Sequence, residues 1–219
     1  MPRPLRPLAT LQPRDVARLT GETLAHYEER PHAFWNATKD HDVTQNIEAL
    51  LGELEDRAPL AILDLGCGPG RDLLAFKELG HEPVGLDGSA AFVKMARERS
   101  GCEVWHQDLL KLDLPEARFD GIFANAVLFH VPTQELLRVL GDLRRTLKPG
   151  GVLFTSNPRG PDIEGQQHDD RYGAYLTLTT WRAYVDQAGF DELRHYFRPD
   201  NKPLAQQPWL ATVNRRREI

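Results

Sequence analysis

The sequence predicts an α/β protein built on a doubly wound, mainly parallel sheet of seven strands, with helices before it and an antiparallel hairpin closing it. Three observations carry this. Between residues 60 and 155 short apolar runs alternate with helical stretches, the pattern of parallel strands covered on both faces. Those runs end in glycine or in an acid, at Gly66, Asp87 and Asp108. Two further apolar runs then follow without a long helix between them.

Each element has a local reason. Prolines 2, 4, 7 and 13 make residues 1–14 a flexible arm. A helix over 15–30 starts at Asp15, carries Val16, Leu19, Leu24 and Tyr27 near helical spacing, and stops before Pro31. A second, over 43–55, has Ile47, Leu50, Leu51 and Leu54 as its buried stripe. Strand 61–65 runs into the glycines, and helix 71–79 is closed by Gly80. Strand 83–86 ends at Asp87, helix 90–99 stops at Gly101, and strand 103–106 precedes Asp108. Strand 119–125 is followed by helix 134–147, which ends at LKPGG as a stop and turn before strand 152–155. Residues 156–178 show no period and read as a long loop, of the kind that is functional or disordered. Helix 180–188, capped by Thr179 or Thr180 and stopped by Gly189, leads to strands 193–197 and 210–213.

Bulk properties bound the function. The 219 residues, 41% hydrophobic, suit one domain with an added cap and a real core. A net charge of −5 gives no attraction toward nucleic acid or an anionic membrane. No apolar run reaches the ~20 residues of a membrane span, and the prolines of MPRPLRPLAT break any signal-peptide core. Two isolated cysteines, Cys67 and Cys102, make neither a zinc framework nor a disulfide scaffold, and read as reduced thiols in a cytoplasmic protein. The eight histidines do not cluster; His168-Asp169-Asp170 comes nearest to a metal group, but adjacent loop residues rarely converge on one ion, so no metal is expected.

The stretch ILDLGCGPGRD decides the ligand class. A dinucleotide fingerprint needs a third glycine where Arg71 stands, and a phosphate loop needs a Gly-Lys-Ser/Thr that is absent. The glycines instead alternate as Gly66, Gly68 and Gly70. Asp64 beside them would repel a buried phosphate and suits a ligand with a cationic end. Asp87, at a strand end, can accept both hydroxyls of a ribose, and Asp108 can accept from the exocyclic amine of a purine. A positively charged nucleoside fits all three acids. Arg71 either pairs with Asp72 or reaches a carboxylate of that ligand.

The runs ILDLGCGPG, VGLDGS, QDLL, FDGIFANAVLFHV and LKPGG, in this order over residues 60–156, resemble the class I S-adenosylmethionine-dependent methyltransferases of small-molecule type. The resemblance implies a Rossmann-like methyltransferase fold, with one antiparallel strand inside the sheet, and S-adenosyl-L-methionine as cofactor, released as S-adenosyl-L-homocysteine. It places Asp64, Gly66, Gly68 and Gly70 at the methionine part, and Asp87, with Gly88 and Ser89, at the ribose. Asp108 and Leu109 fall at the adenine, and Asn125 and Ala126 beside the transferring methyl. HYEERPHAFWNATKDHD resembles an entry helix and lid, with Tyr27 at the cofactor carboxylate and Trp35, Thr38 and Lys39 closing over it. The implied organisation is a single domain from residue 15: lid 15–58, cofactor core 59–156, acceptor cap loop 157–182, and closing helix end and hairpin 183–219.

The acceptor is expected to be a small molecule methylated at oxygen, nitrogen or sulfur, because neither a basic stripe nor a separate recognition module is present. His130, after the fourth strand, is a candidate base or a wall residue. Asn157, Arg159, Tyr172 and Tyr175 are candidates for the acceptor pocket. The oligomer is expected to be a monomer or homodimer. The competing readings are a nicotinamide-dependent oxidoreductase on a similar sheet and a non-catalytic cofactor-binding regulator.

Overall fold

The structure, a computed structural model, describes residues 5–55, 58–166 and 170–218. His168 and Asp169 lie outside the described residues. Three helices come first: α1 (Pro13–Glu29), α2 (Pro31–Thr38) and α3 (Thr44–Leu51). Then follow β1 (Ala61–Leu65), α4 (Arg71–Glu78), β2 (Glu82–Asp87), α5 (Ala90–Ser100), β3 (Glu103–His106) and β4 (Phe119–Asn125). The chain continues through α6 (Thr133–Thr146), β5 (Leu147–Pro158), β6 (Ile163–Gln166) and β7 (Tyr172–Tyr175). It ends with α7 (Leu178–Gln187), β8 (Phe190–Arg198) and β9 (Trp209–Arg216).

The main sheet has seven strands in the order β3-β2-β1-β4-β5-β9-β8. β9 runs antiparallel to both neighbours; β1 to β5 are parallel. Alternation along the strands sends Leu63, Ile122 and Leu153 to one face and Ile62, Phe123 and Phe154 to the other. The first face is covered by α6 and α7 through Leu136, Val139, Leu140, Leu143, Trp181 and Tyr184. The second is covered by α3 through Ile47 and Leu50, with Phe76 of α4. Each such fully buried side chain stabilises the fold by about 1.5–3 kcal/mol, so both faces hold the strand ends in fixed register.

Several expectations are corrected. Helix α1 begins at Pro13, because proline at N1 gives up no hydrogen bond. The first helix does stop before Pro31, which itself starts α2. The described part of the arm is not free: the N–H groups of Leu8 and Leu11 donate to Thr133 Oγ1 (2.9 Å) and Gln134 Oε1 (2.6 Å) at the start of α6. LKPGG is extended and belongs to β5, with Gly150 at φ +72°. Residues 156–178 are not a structureless loop, since β6 and β7 pair there as an antiparallel hairpin. Helix α7 is capped by Thr177, whose hydroxyl accepts from Thr180 N at 3.2 Å.

Candidate active site

A cavity of about 600 Å³ opens at the carboxyl edge of the sheet, where strand order reverses between β1 and β4. That crevice is where open α/β sheets bind ligands. Its floor is made by Gly66 and Gly68 after β1, Asp87 and Gly88 at β2, Asp108 and Leu109 after β3, Asn125 and Ala126 at β4, and Ser156 on β5. Tyr27 of α1 and Phe34 and Trp35 of α2 line it from the other side.

The glycine turn is a cradle. Gly68 has φ +51°, and a Cβ there would project into space bounded by Phe34, 3.6 Å away. Its N–H donates to Asp87 Oδ2 at 2.9 Å, and Ser89 N–H donates to Oδ1 at 2.8 Å. Gly70 packs directly on α5 and lies outside the cavity lining. Ser89 is also outside it; its hydroxyl caps α5 by accepting from Phe92 N (3.1 Å) and donates to Glu28 (2.6 Å). Asp108 lines the cavity and caps a short 3-10 turn through Leu110 N (2.9 Å).

Burial lifts the Asp87 carboxyl to about 6, while the N–H groups of Ser89 and Gly68 pull it back. The folded state therefore holds the proton better than the unfolded chain. Ionising this group as pH rises from about 4 to 6 costs the ligand-free fold roughly 3 kcal/mol. Hydroxyl donors would offset that cost by bonding the carboxylate. Affinity for a ligand that bonds Asp87 through hydroxyls is accordingly expected to rise by up to about tenfold between pH 5 and 7 and to level off above pH 7. Calorimetry giving equal affinity at pH 5 and 7.5 would exclude Asp87 as the hydroxyl acceptor.

Asp64 is buried beneath the turn rather than exposed to the cavity. Burial, then the neighbouring Asp72, pushes its carboxyl well above the usual range, and Oδ2 has no hydrogen-bond partner. A polar chain centred on Asp72 runs beside it. Arg71 grips Asp72 through Nε (2.6 Å) and Nη2 (3.0 Å), and its Nη1 donates to the Thr38 carbonyl at 2.7 Å. Asn125 Nδ2 approaches Asp72 at 3.4 Å, and Asn46 Nδ2 donates to Asn125 Oδ1 at 3.1 Å. Tyr196 then donates to Asn46 Oδ1 at 2.8 Å. Of the two roles open to Arg71, the structure displays the pairing with Asp72. The orphaned acid, the glycine cradle and the surplus of carboxylates fit a cationic nucleoside. Ala126, at φ +61°, carries backbone strain at the same edge.

His130 lines the cavity with both ring nitrogens engaged. Nδ1 lies 2.6 Å from the Tyr172 carbonyl, and Nε2 lies 2.9 Å from the Tyr27 hydroxyl. A carbonyl only accepts, so Nδ1 carries the proton and Nε2 accepts from Tyr27. Arg171 Nη1 donates to the same hydroxyl at 2.9 Å. The Tyr27 hydroxyl thus faces His130 and Arg171, not Arg71.

The four cap residues are not brought to this cavity, a correction to the sequence expectation. Asn157 accepts from Phe129 N (3.2 Å) behind it. Arg159 donates to the Gln207 carbonyl (2.8 Å) and lies over Phe197. Tyr172 is buried, its hydroxyl bonded to Glu164. The Tyr175 ring closes over Gly173. Tyr172 and Tyr175, three positions apart on β7, stand on opposite faces of the hairpin, and neither lines the crevice.

Other contributors were not singled out from sequence. Phe34 and Phe92 line the cavity, packed 5.1 Å apart. Glu28 ties α1 to the start of α5, and Arg99 stacks over Trp35 at 3.8 Å. Asn46 had a signal: a polar residue on the buried stripe of its helix.

Residues 62–151 match the family model described as a methyltransferase domain. Among curated proteins, the trans-aconitate 2-methyltransferase of Azoarcus sp. (strain BH72) is 40% identical over 50% of this chain and 42% of its own. The malonyl-[acyl-carrier protein] O-methyltransferase of Pseudescherichia vulneris is 29% identical over 68% and 67%. That of Xylella fastidiosa (strain M23) is 34% identical over 58% and 44%. The chain thus spans less than half the length of the Azoarcus and Xylella relatives. Among solved structures, the Burkholderia thailandensis 1,6-didemethyltoxoflavin-N1-methyltransferase, with 1,6-didemethyltoxoflavin and S-adenosylhomocysteine bound, superposes with a TM-score of 0.75. It is 22% identical over 96% of this chain and 92% of that one, a likeness of fold.

Proposed function

We propose that this chain, whose residues 62–151 match a methyltransferase domain, is a class I S-adenosylmethionine-dependent methyltransferase that methylates an oxygen, nitrogen or sulfur of a small organic acceptor by in-line displacement. The observation that carries this reading is the meeting of the Gly66–Gly70 turn, Asp87 and Asp108 at one cavity edge. In this reading Asp87 holds the ribose hydroxyls, Asp108 and Leu109 the adenine, and the glycine turn the methionine part. The buried Asp64 lies beneath that turn, outside the cavity wall. Asn125 and Ala126 stand beside the methyl. When bound, the cofactor supplies a methyl on an excellent leaving group, so the task left to the protein is alignment and exclusion of water.

Residues 15–58 act as the lid, 59–156 as the cofactor core, 157–182 as a cap resting on α1 and α6, and 183–219 as the closing unit. The relatives named for trans-aconitate and for malonyl-[acyl-carrier protein] support a small acyl-type acceptor. The nicotinamide reading gains no support, since Arg71, paired to Asp72, fills the place of the third glycine. No described helix is long and apolar enough to cross a membrane. Free thiols at Cys67 and Cys102 support a reducing compartment, the cytoplasm, and we assign the working unit as a monomer or homodimer.

Calorimetry is expected to give S-adenosylhomocysteine a Kd below about 100 µM, and a mass-spectrometric screen to find an acceptor that gains one methyl. Absence of cofactor binding ends the proposal; binding without turnover across the panel favours a regulator. His130 acts in this scheme by orienting the Tyr27 hydroxyl, because its Nε2 lone pair is already held there. The kcat profile at saturating cofactor is therefore expected to lack an acid limb of unit slope between about pH 5 and 7 in the wild type. A limb of unit slope that disappears in His130→Ala would make the histidine a general base instead.

A further inference from the structure

The cofactor-side residues account for only half of the cavity wall. The other half extends past β4 toward β5, β9 and β8, and there Arg198 and Trp209 line it as a cross-strand pair. Arg198 ends β8 at the sheet edge. Among the described residues its hydrogen bonding is confined to the Asp42 carbonyl, 2.9 Å from Nη2. That engages one of the five donors of a guanidinium. Asp42 itself directs Oδ1 to Thr44 N at 2.9 Å. A cation flanked by Trp209 and Pro199, with Asp42 beside it, is a feature that methyl transfer does not require of the cofactor's binding site.

We propose that the acceptor is an organic carboxylate and that Arg198 anchors its carboxylate against the Trp209 wall. The proposal rests on the methyl-transfer reading. Planar guanidinium and carboxylate pair through two parallel bonds, which fixes orientation as well as charge. The nearby Asp42 leaves room for one negative charge and disfavours a phosphate dianion. The geometry also sets the shape of the acceptor. Strands lie about 4.8 Å apart, so the β8 edge is about 14 Å from β4, where the methyl is delivered. The arginine side chain reaches inward over part of that span. The anchored carboxylate is then separated by about 5–10 Å from the atom that is methylated.

The test uses the full chain loaded with S-adenosylhomocysteine and a matched pair of probes, phenylacetate and phenylacetamide. Saturation-transfer NMR should show phenylacetate bound to the wild type, with affinity about tenfold weaker for phenylacetamide and about tenfold weaker in Arg198→Gln. Arg198→Lys should recover part of the loss. Calorimetry with S-adenosylhomocysteine should give the same affinity within about twofold for wild type and Arg198→Gln, which separates acceptor anchoring from a structural tie to the Asp42 loop. The carboxylate assignment is overturned by an amide that binds as well as the acid, by an acid signal that Arg198→Gln leaves intact, or by no acid signal at all. A wild type that fails to bind S-adenosylhomocysteine sinks the methyl-transfer reading instead.

Discussion

Asp87→Ala is expected to weaken S-adenosylhomocysteine binding by more than about 100-fold while the chain stays folded. A carboxylate that accepts two hydroxyls makes charge-assisted bonds worth about 1.5–3 kcal/mol each, and losing both exceeds the ~2.7 kcal/mol of a hundredfold change. The fold loses less. The alanine leaves the Gly68 and Ser89 N–H groups without their acceptor, but it also removes a buried charge whose pKa is pushed up to about 6. These effects oppose each other, and the thermal midpoint should move by only about 5 °C. Asp87→Asn keeps the shape and one acceptor oxygen, so about a tenfold loss is expected. An alanine variant whose Kd stays within threefold of wild type would remove Asp87 from the binding site.

Gly70→Ala is expected to cost the fold roughly 2–5 kcal/mol of stability. Gly70 sits at φ +89°, where a Cβ costs about 1–2 kcal/mol. The added atom would also lie 2.8 Å from Ala96 Cα and 3.2 Å from its carbonyl, which are backbone of α5 and cannot step aside. Forcing α4 and α5 apart adds about 1–3 kcal/mol. The midpoint should fall by roughly 5–15 °C in a chain of this length. Gly80→Ala is the control: φ is +85° but nothing lies within 4 Å, so only the backbone cost of about 1 kcal/mol remains. Thermal scans in which the two variants melt together would show that the α4–α5 contact does not limit stability.

The cofactor half of the site was legible because each of its residues is fixed locally. Asp87, Asp108 and Asn125 are set at strand ends by the two-residue period of the strand before them, and the Gly66–Gly70 run follows β1 without a gap. Once the strands are parallel, all of these must arrive at one edge. The acceptor half was not legible in this way. Tyr172 and Tyr175 are aromatic and lie between two elements, yet Tyr172 turns inward to pack with Leu19 and Ala174, because the hairpin is held by Thr23 of α1, whose hydroxyl accepts from Tyr172 N at 2.8 Å. Arg159 and Arg198 look alike in sequence. One is tied up by the carbonyls of Gln207 and Leu204, and the other reaches the cavity.

The sequence by itself determined where the seven strands of the main sheet fall along the chain and the chemistry of the parallel strands' carboxyl ends, since periodicity and turn residues act over a few positions of chain. Only the tertiary structure decided which side chains of the lid, the hairpin and the last two strands face the crevice. Those directions follow from how α1 packs on α5 and how β9 joins β5 to β8, contacts between residues far apart in the chain that no local pattern records.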